Sequence, residues 1–158
     1  QAPLSLGVGY AWFPIHFEEN MERWTSPEEA QQAIDYVTSF LTYYTKKNDV
    51  DANSITLLGF SQGAMLSYSV GLGHPSVSAI AALSGYLDPR LVRFDNLKKT
   101  LYVSHGEQDM VVPYAWAAQS VALLKENGYS PTWLSYPQGH GVNQDNLNSL
   151  MQWLQEQL

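Results

Sequence analysis

The residues best suited to chemistry form the pentapeptide Gly59-Phe60-Ser61-Gln62-Gly63, a G-x-S-x-G pattern between an apolar run and a helical one. A serine on a sharp turn between a strand and a helix has its hydroxyl raised above the sheet edge, which is the nucleophile-elbow arrangement. The flanking glycines let strand and helix approach each other without a Cβ clash. The pattern predicts Ser61 as a nucleophile; the alternative interpretation is a plain helix N-cap.

A serine hydroxyl is a weak nucleophile at neutral pH, so it needs a base, and that base needs a third group to hold its tautomer. After an elbow, the acid and then the histidine follow the serine in the chain. Of the four histidines, His140 follows a late strand in a glycine-flanked loop and is the predicted base. The alternative is a simple turn residue. His16 and His74 lie in loops before or just after the elbow, and His105 is predicted to be structural.

The acid is predicted to be Asp109, in the loop between the third strand and the helix that starts at Pro113. Glu107 is its nearest competitor. Asp88 belongs to the turn Leu87-Asp88-Pro89 and is the weaker candidate. Asp109 could alternatively serve only to orient the loop before its helix.

Composition indicates a globular domain with a real core, since the 158 residues are 45% hydrophobic and 15% charged. The formal charge of −7 argues against a nucleic-acid or anionic-membrane partner. The absence of cysteine excludes disulfides, thiolate metal sites and a cysteine nucleophile. It fits a reducing compartment, so we expect a cytoplasmic protein. Residues 52–87 lack charged side chains but are interrupted by polar residues and glycines, which indicates a buried core and not a membrane span.

The elements that must position these residues alternate along the chain. Residues 1–25 are predicted to be a long irregular loop, and Ser26, Pro27 and Glu29 form a capping-box helix start. Beyond that first helix we predict four short apolar strands and three helices. The strands are Ile55–Phe60, Ala79–Leu83, Thr100–Ser104 and Thr132–Tyr136, and the helices are Gln62–Leu72, Pro113–Asn127 and 147–158.

This alternation predicts a three-layer α/β fold with a parallel sheet covered on both faces, in one domain over residues 1–158. Ligands bind at the carboxyl ends of the strands in such sheets. Four polar turns follow the predicted strands and converge on that edge: Ser61, Ser84-Gly85, residues 106–109 and Gly139-His140.

Four motifs in this order resemble the phospholipase/carboxylesterase family of α/β-hydrolases, which includes bacterial carboxylesterases and acyl-protein thioesterases. They are residues 59–64, residues 83–87, His105-Gly106-x-x-Asp109-x-Val111-Val112-Pro113 and Tyr136-x-x-Gly139-His140. The resemblance implies a nucleophile, an acid and a base at Ser61, Asp109 and His140, and an oxyanion donor in the backbone N–H of Gln62. It also implies carboxylic esters, lysophospholipids or acyl thioesters as small-molecule substrates, with no cofactor and no metal.

The sequence departs from this family at its start. Family members carry an N-terminal portion with early strands and a His-Gly loop that supplies the second oxyanion N–H, but residues 1–50 contain no His-Gly pair. Pro14 also stands where the family usually has Asp. We therefore expect an N-terminally truncated fold, and losing one oxyanion donor typically costs about 100- to 1000-fold in turnover. The strand Ile55–Phe60 would then be a bare apolar edge, which predicts a homodimer, a strand swap or a complementing chain there.

The function expected from these residues is a serine hydrolase that acts on carboxylic esters through an acyl-enzyme. Its rate should fall as acid protonates His140, because only a neutral imidazole acts as a base. Trp12, Phe13, Met110 and Val111 are the candidate substrate contacts. Two alternatives stay open: a catalytically weak remnant that binds an apolar ligand or a partner chain, and a peptidase on the same fold.

Overall fold

A computed structural model describes residues 1–17, 23–24, 26–51, 54–95 and 98–157. Its strands are β1 (Leu4–Ser5), β2 (Tyr10–Ala11), β3 (His16–Phe17), β4 (Arg23–Trp24), β5 (Ile55–Phe60), β6 (Val77–Leu83), β7 (Thr100–Gly106) and β8 (Thr132–Tyr136). Its helices are α1 (Pro27–Asn48), α2 (Gln62–Gly71), α3 (Tyr114–Glu126) and α4 (Gln144–Gln155). The predicted β/α alternation is confirmed. Where the bounds of a predicted strand or helix differ from those in the structure, they differ by one to three residues.

The four-stranded sheet has the order β5-β6-β7-β8 and is parallel throughout. Successive residues of its central strands enter two different cores, because side chains alternate across a sheet. Ile80 and Ala82 of β6 pack with α1, α2 and α3 on one face, whereas Ala81 and Leu83 pack with α4 on the other. The predicted three-layer α/β fold, with a parallel sheet between helices, is therefore confirmed.

The N-terminal segment is more ordered than the predicted irregular loop. β1 pairs with β2 and β3 with β4, both antiparallel and each over two residues. Glycines with positive φ form the turn between β1 and β2, at Gly7 (φ 81°) and Gly9 (φ 93°). Sequence periodicity cannot reveal strands of two residues, because alternation needs several residues to be visible. Residues 18–22 and 25 of this predicted loop lie outside the described residues.

The start of α1 differs from the predicted capping box. Ser26 caps the helix by accepting the Glu29 N–H over 3.4 Å, and Pro27 occupies the first turn, as predicted. The Glu29 carboxylate, however, lies 2.7 Å from His16 Nε2 in β3. The side chain that would complete the box therefore ties the helix start to the N-terminal segment.

β5 is partly exposed at the outer edge of the sheet. Leu58 and Phe60, in register with Ala81 and Leu83 on the face that packs against α4, are 52% and 41% exposed. Within the described ranges β5 pairs with β6 and with no other strand. Its outer edge is therefore open here, whereas pairing with a second chain stays a prediction. No helix in the described part of the chain is both long and apolar enough to cross a membrane. The single-domain description and the cytoplasmic location also stay predictions.

Candidate active site

Ser61 lies between β5 and α2 with φ 55° and ψ −117°, a positive-φ backbone conformation that L-residues rarely adopt. Such a conformation costs about 1–3 kcal/mol and persists only where the surroundings enforce it. A Cβ on Gly59 would overlap the Gly63 backbone, and one on Gly85 would lie 2.7 Å from the Ser61 carbonyl oxygen. Ser61 N–H donates to Leu83 O over 2.8 Å. The elbow is thus held by close packing between neighbouring turns.

The alternative interpretation of Ser61 as a plain N-cap is wrong. Ser61 does occupy the N-cap position of α2, but its side chain makes no capping hydrogen bond. Its Oγ instead lies 3.0 Å from His140 Nε2. The hydroxyl therefore points at an imidazole and away from the helix backbone.

The three residues predicted for catalysis come together in one hydrogen-bonded chain. His140 Nδ1 lies 2.7 Å from Asp109 Oδ2, on the ring side opposite Ser61. Because an ionised carboxylate only accepts, Nδ1 carries the proton and Nε2 of the neutral ring accepts from Ser61 Oγ–H. His140 is partly open, with 17% of its side chain exposed, while the Asp109 side chain is fully buried. This is the arrangement in which a histidine can take a serine proton.

Asp109 is held in its ionised form by several donors. The N–H groups of Val111 and Val112 donate to its Oδ1, each over 2.8 Å. Burial pushes the pKa of this carboxyl up, but the hydrogen bonds from His140, Val112 and Val111 outweigh it and hold the pKa below its usual value. The group facing His140 is therefore a carboxylate at neutral pH.

The competing acids are engaged elsewhere. Glu107 accepts from Ser135 Oγ over 2.8 Å. Asp88 forms a close pair with Arg90, whose Nη2 lies 2.6 Å from Asp88 Oδ2. The structure brings Asp109, and neither of these two, to His140.

The side chain of Gln138, to which the sequence pattern assigns no role, holds the shape of the loop that carries His140, and the Gln138 backbone carbonyl binds that loop to the acid loop. Gln138 Nε2 donates to Gly141 O over 2.8 Å, and Gln138 Oε1 accepts Asn143 N–H over 2.8 Å. Gln108 N–H donates to Gln138 O over 3.0 Å. A Cβ on Gly106 would overlap the carbonyl groups of this loop, so the two loops need a glycine to lie this close.

Phe60 also contributes to the position of the base. Its ring centroid lies 4.9 Å from that of His140, at an interplanar angle of 46°. Phe60 is part of the elbow motif, but nothing in the sequence indicates that its ring lies against the imidazole. It packs beside His140 and limits how the ring can turn.

Gln62, predicted to donate its backbone N–H to an oxyanion, is the first residue of α2. An N–H at this position has no acceptor within the helix and is available to a ligand. Its side chain has a separate role, because Oε1 accepts Trp12 N–H and Nε2 donates to Phe13 O, both over 2.7 Å. The elbow is thereby bound to the N-terminal segment.

The four predicted substrate contacts divide into buried and open positions. Phe13 is only 2% exposed and packs in the main core, so its ring does not line an open pocket and that prediction needs correction. Trp12 is partly buried and lines an apolar groove of about 330 Å³ with Leu58 and Leu66. Met110 and Val111 are 90% and 40% exposed beside Asp109. The roles of Trp12, Met110 and Val111 stay predictions.

No cluster of three or more histidine or acidic side chains suited to holding a metal ion occurs in the described ranges. The polar side chains that come together here are a serine, a histidine and a carboxylate. Together they are suited to proton transfer and nucleophilic attack at a carbonyl carbon.

Comparison with known sequences gives a consistent picture. A family model described as phospholipase/carboxylesterase matches residues 2–158. Lysophospholipase-like protein 1 of Mus musculus is 29% identical over 162 residues, which cover 96% of this chain and 66% of that protein. Acyl-protein thioesterase 1 of Debaryomyces hansenii is 25% identical over 167 residues, covering 99% of this chain and 72% of that one. The chain thus spans about two thirds to three quarters of the length of these two relatives.

Solved structures agree with the fold. A crystal structure of esterase PE8 superposes with a TM-score of 0.86 at 27% identity, covering 99% of this chain and 76% of that one. The carboxylesterase of Bacillus cereus superposes with a TM-score of 0.78 at 19% identity, covering 90% and 68%. At the lower identity the likeness concerns the fold alone.

Proposed function

The chain belongs to the phospholipase/carboxylesterase family of α/β-hydrolases, and on that premise we propose that it is a serine hydrolase that cleaves carboxylic esters or thioesters through Ser61, His140 and Asp109. The single observation that supports this most is the continuous path from Ser61 Oγ to the imidazole at 3.0 Å and on to Asp109 at 2.7 Å. Such a path supplies the nucleophile, its base and the group that holds the base.

In the proposed reaction, His140 Nε2 takes the Ser61 proton as Oγ attacks the carbonyl carbon of the substrate. Asp109 keeps the ring oriented and stabilises its positive charge. The Gln62 N–H donates to the oxygen that becomes negative. His140 then gives its proton to the departing alkoxide or thiolate, which leaves an ester between Ser61 and the acyl group.

The second half of the proposed cycle uses water. His140 takes a proton from a water molecule as its oxygen attacks the acyl carbon, and then returns a proton to Ser61 Oγ as the bond to the acyl group breaks. A carboxylic acid leaves, and the protein is restored without any further reactant. Each half of the cycle begins with a neutral imidazole. His140 accepts and returns every proton in these steps, with Asp109 as the group that orients it.

The proposed substrates are short-chain esters, lysophospholipids and acyl thioesters. Lysophospholipids and acyl thioesters are proposed because the two sequence relatives are named lysophospholipase-like protein 1 and acyl-protein thioesterase 1. Esters are proposed because the family model is described as phospholipase/carboxylesterase and a similar structure is named esterase PE8. All three classes present an acyl carbon to Ser61 and differ in the group that departs. His140 lies at the carboxyl ends of the strands and its imidazole is partly exposed, which fits an acyl carbon that arrives from solvent.

The test is labelling with a fluorophosphonate probe, which reacts with an activated serine. We expect the intact chain to be labelled, and labelling to be lost in Ser61→Ala and His140→Ala. Ser67→Ala is the matched control, because that hydroxyl lies on the same helix and donates only to Gly63 O among the described bonds. No labelling of the folded intact chain would favour the catalytically weak remnant that binds an apolar ligand or a partner chain. Turnover of peptides in preference to esters would favour the peptidase.

A further inference from the structure

A second histidine lies against the same carboxylate oxygen that faces His140. His105, at the end of β7, has no solvent exposure. Its Nε2 lies 2.9 Å from Val112 O and 3.3 Å from Asp109 Oδ2. The sequence predicts a structural residue here, and the contacts show what it would hold.

The contacts fix the tautomer of His105. A backbone carbonyl only accepts, so the proton of the neutral ring lies on Nε2 and is donated to Val112 O. His105 Nδ1 is buried and has no hydrogen-bond partner among the described residues. A proton on Nδ1 would therefore be a buried donor without an acceptor, while Nε2, which faces two acceptors, would have no proton to donate. Both considerations favour a neutral ring with the proton on Nε2.

Among the residues that the structure describes, the ionised group in contact with His105 is Asp109. On the loop after β7, Asp109 contacts it, while Glu107 is directed to Ser135. On α3, the ring centroid of Tyr114 lies 6.2 Å from that of His105, at an interplanar angle of 71°. On the neighbouring strand β8, the residue in register is Ser135, which does not titrate near neutral pH. His140 is reached only through Asp109.

Val112, His105 and Asp109 form a closed circuit of contacts around the Asp109 carboxylate. Val112 N–H donates to Asp109 Oδ1, and Val112 O accepts from His105 Nε2, so one residue joins the carboxylate to the buried imidazole. The same Nε2 lies beside Oδ2, the oxygen that accepts from His140. The carboxylate is thus fixed at both oxygens, one by backbone N–H groups and the other between two imidazoles.

We propose that His105 is a positioning residue that holds the Asp109 carboxylate and the 109–112 turn in the orientation that His140 requires. This proposal rests on the proposed function of Asp109. His105 does not touch the reacting atoms and acts through Asp109. A shift of about 1 Å in a group that orients the base is enough to lower turnover about 100-fold.

The test compares His105→Gln with His105→Met, two side chains of similar length, of which only glutamine has an amide that can donate near the Nε2 position. We expect His105→Met to lower kcat for ester hydrolysis about 100-fold with little change in KM. His105→Gln should retain most of the rate, because its amide can donate to Val112 O. Equal losses in two variants that fold equally well would overturn the proposal.

A spectroscopic readout separates this proposal from the proposed function. In the folded protein the His140 Nδ1–H proton should give a far-downfield proton resonance, which we expect to persist in His105→Gln and to disappear or shift in His105→Met. An unchanged resonance in His105→Met would overturn the positioning role even if the protein hydrolyses no ester. Nitrogen-15 spectra of the unaltered protein add a test that needs no variant: they should show His105 neutral and protonated on Nε2, and a proton on Nδ1 would overturn the inference.

Discussion

The side chain of Gln62 binds the backbone of Trp12, with Trp12 N–H donating to Gln62 Oε1 over 2.7 Å across fifty residues of sequence. The other end of the amide donates to Phe13 O over the same distance. One residue of the elbow therefore combines an observed role with a proposed one: its side chain holds the N-terminal segment, and its backbone N–H is the proposed oxyanion donor. Because substitution leaves the backbone N–H in place, the two roles can be separated by experiment.

Replacing Gln62 with methionine should loosen the N-terminal segment and lower the free energy of unfolding by about 1–3 kcal/mol, since two hydrogen bonds are lost and partly buried backbone groups lose their partners. Urea unfolding measures the free energy, and limited proteolysis should show faster cleavage within residues 1–17. Gln119→Met, at an exposed position on α3, is the matched control and should change neither. Unchanged stability and cleavage in Gln62→Met would show that the Gln62 side chain does not hold the segment.

The sheet could be predicted because each of its strands is an apolar run with a turn at its end. β5 and β8 have the predicted ends, and β6 and β7 extend the predictions by two residues on one side. The pairs β1–β2 and β3–β4 could not be predicted, because a strand of two residues leaves no period in the sequence. They depend on turns and on contacts with the rest of the chain.

The candidate site shows the same division between local and long-range information. Ser61, Asp109 and His140 could be predicted, because each follows a strand end and parallel strands bring those ends together. The role of the Gln62 side chain could not, since it depends on backbone groups about fifty residues away that the fold brings near. The Gln138 side chain bonds groups three and five residues further along the chain, in a loop with no period from which such contacts could be predicted. The prediction for Phe13 is wrong for a related reason: an aromatic residue in a loop gives no sign of whether its ring enters the core.

Changes to the hydrogen-bonded chain should be severe and should not add. Ser61→Ala or His140→Ala alone should lower kcat by about 10⁶-fold, and the double variant by little more, because the residues act as a unit. Asp109→Asn should cost about 10⁴-fold, since the amide favours the wrong tautomer of His140. Steady-state ester hydrolysis measures these losses, with Asp35→Asn on the exposed face of α1 as the control. Losses that multiply in the double variant would contradict a single unit.

The rate of ester hydrolysis should fall as pH is lowered between about 8 and 5, because protonation of His140 removes the base. Asp109 should not add a second acid step in this range, since hydrogen bonds from His140 and two backbone N–H groups hold its pKa below the usual value despite burial. A profile of kcat/KM against pH should therefore show one acid limb. A flat profile, or two protonations on that limb, would argue against this assignment.

His74 should make the fold less stable in mild acid. Burial, and to a smaller extent the nearby Lys99 ammonium, lower the pKa of His74 below its usual value. In mild acid, His74 therefore binds a proton in the unfolded chain but not in the folded chain. The free energy of unfolding is unaffected above pH about 6.5 and decreases as the pH drops below it. The geometry agrees, because His74 Nδ1 accepts from Ser76 N–H over 3.2 Å. Protonation of Nδ1, which the charged ring requires, would break this hydrogen bond.

Urea unfolding at several pH values measures this effect. We expect the free energy of unfolding to decrease from pH about 7 to about 5, and part of that slope to be absent in His74→Asn, whose side chain does not titrate. Gln119→Asn serves as the control and should keep the full slope, since it changes an exposed side chain on α3 that does not titrate. An identical slope in the unaltered chain and His74→Asn would contradict the assignment.

The open edge of β5 should pair with another chain. Its outer backbone groups have no strand beside them within the described residues, and Leu58 and Phe60 add exposed apolar surface. Bare edges of this kind are templates for strand addition, and a charged residue on them blocks it.

We therefore expect the chain to self-associate as its concentration rises, and Leu58→Lys to weaken that association. Light scattering over a dilution series measures the change, with Val8→Lys, at a 98% exposed apolar position outside the edge, as the control. A chain that stays monomeric at every concentration would exclude the homodimer, and strand-length peptides that bind the Ile55–Phe60 edge would then identify a complementing chain as its partner.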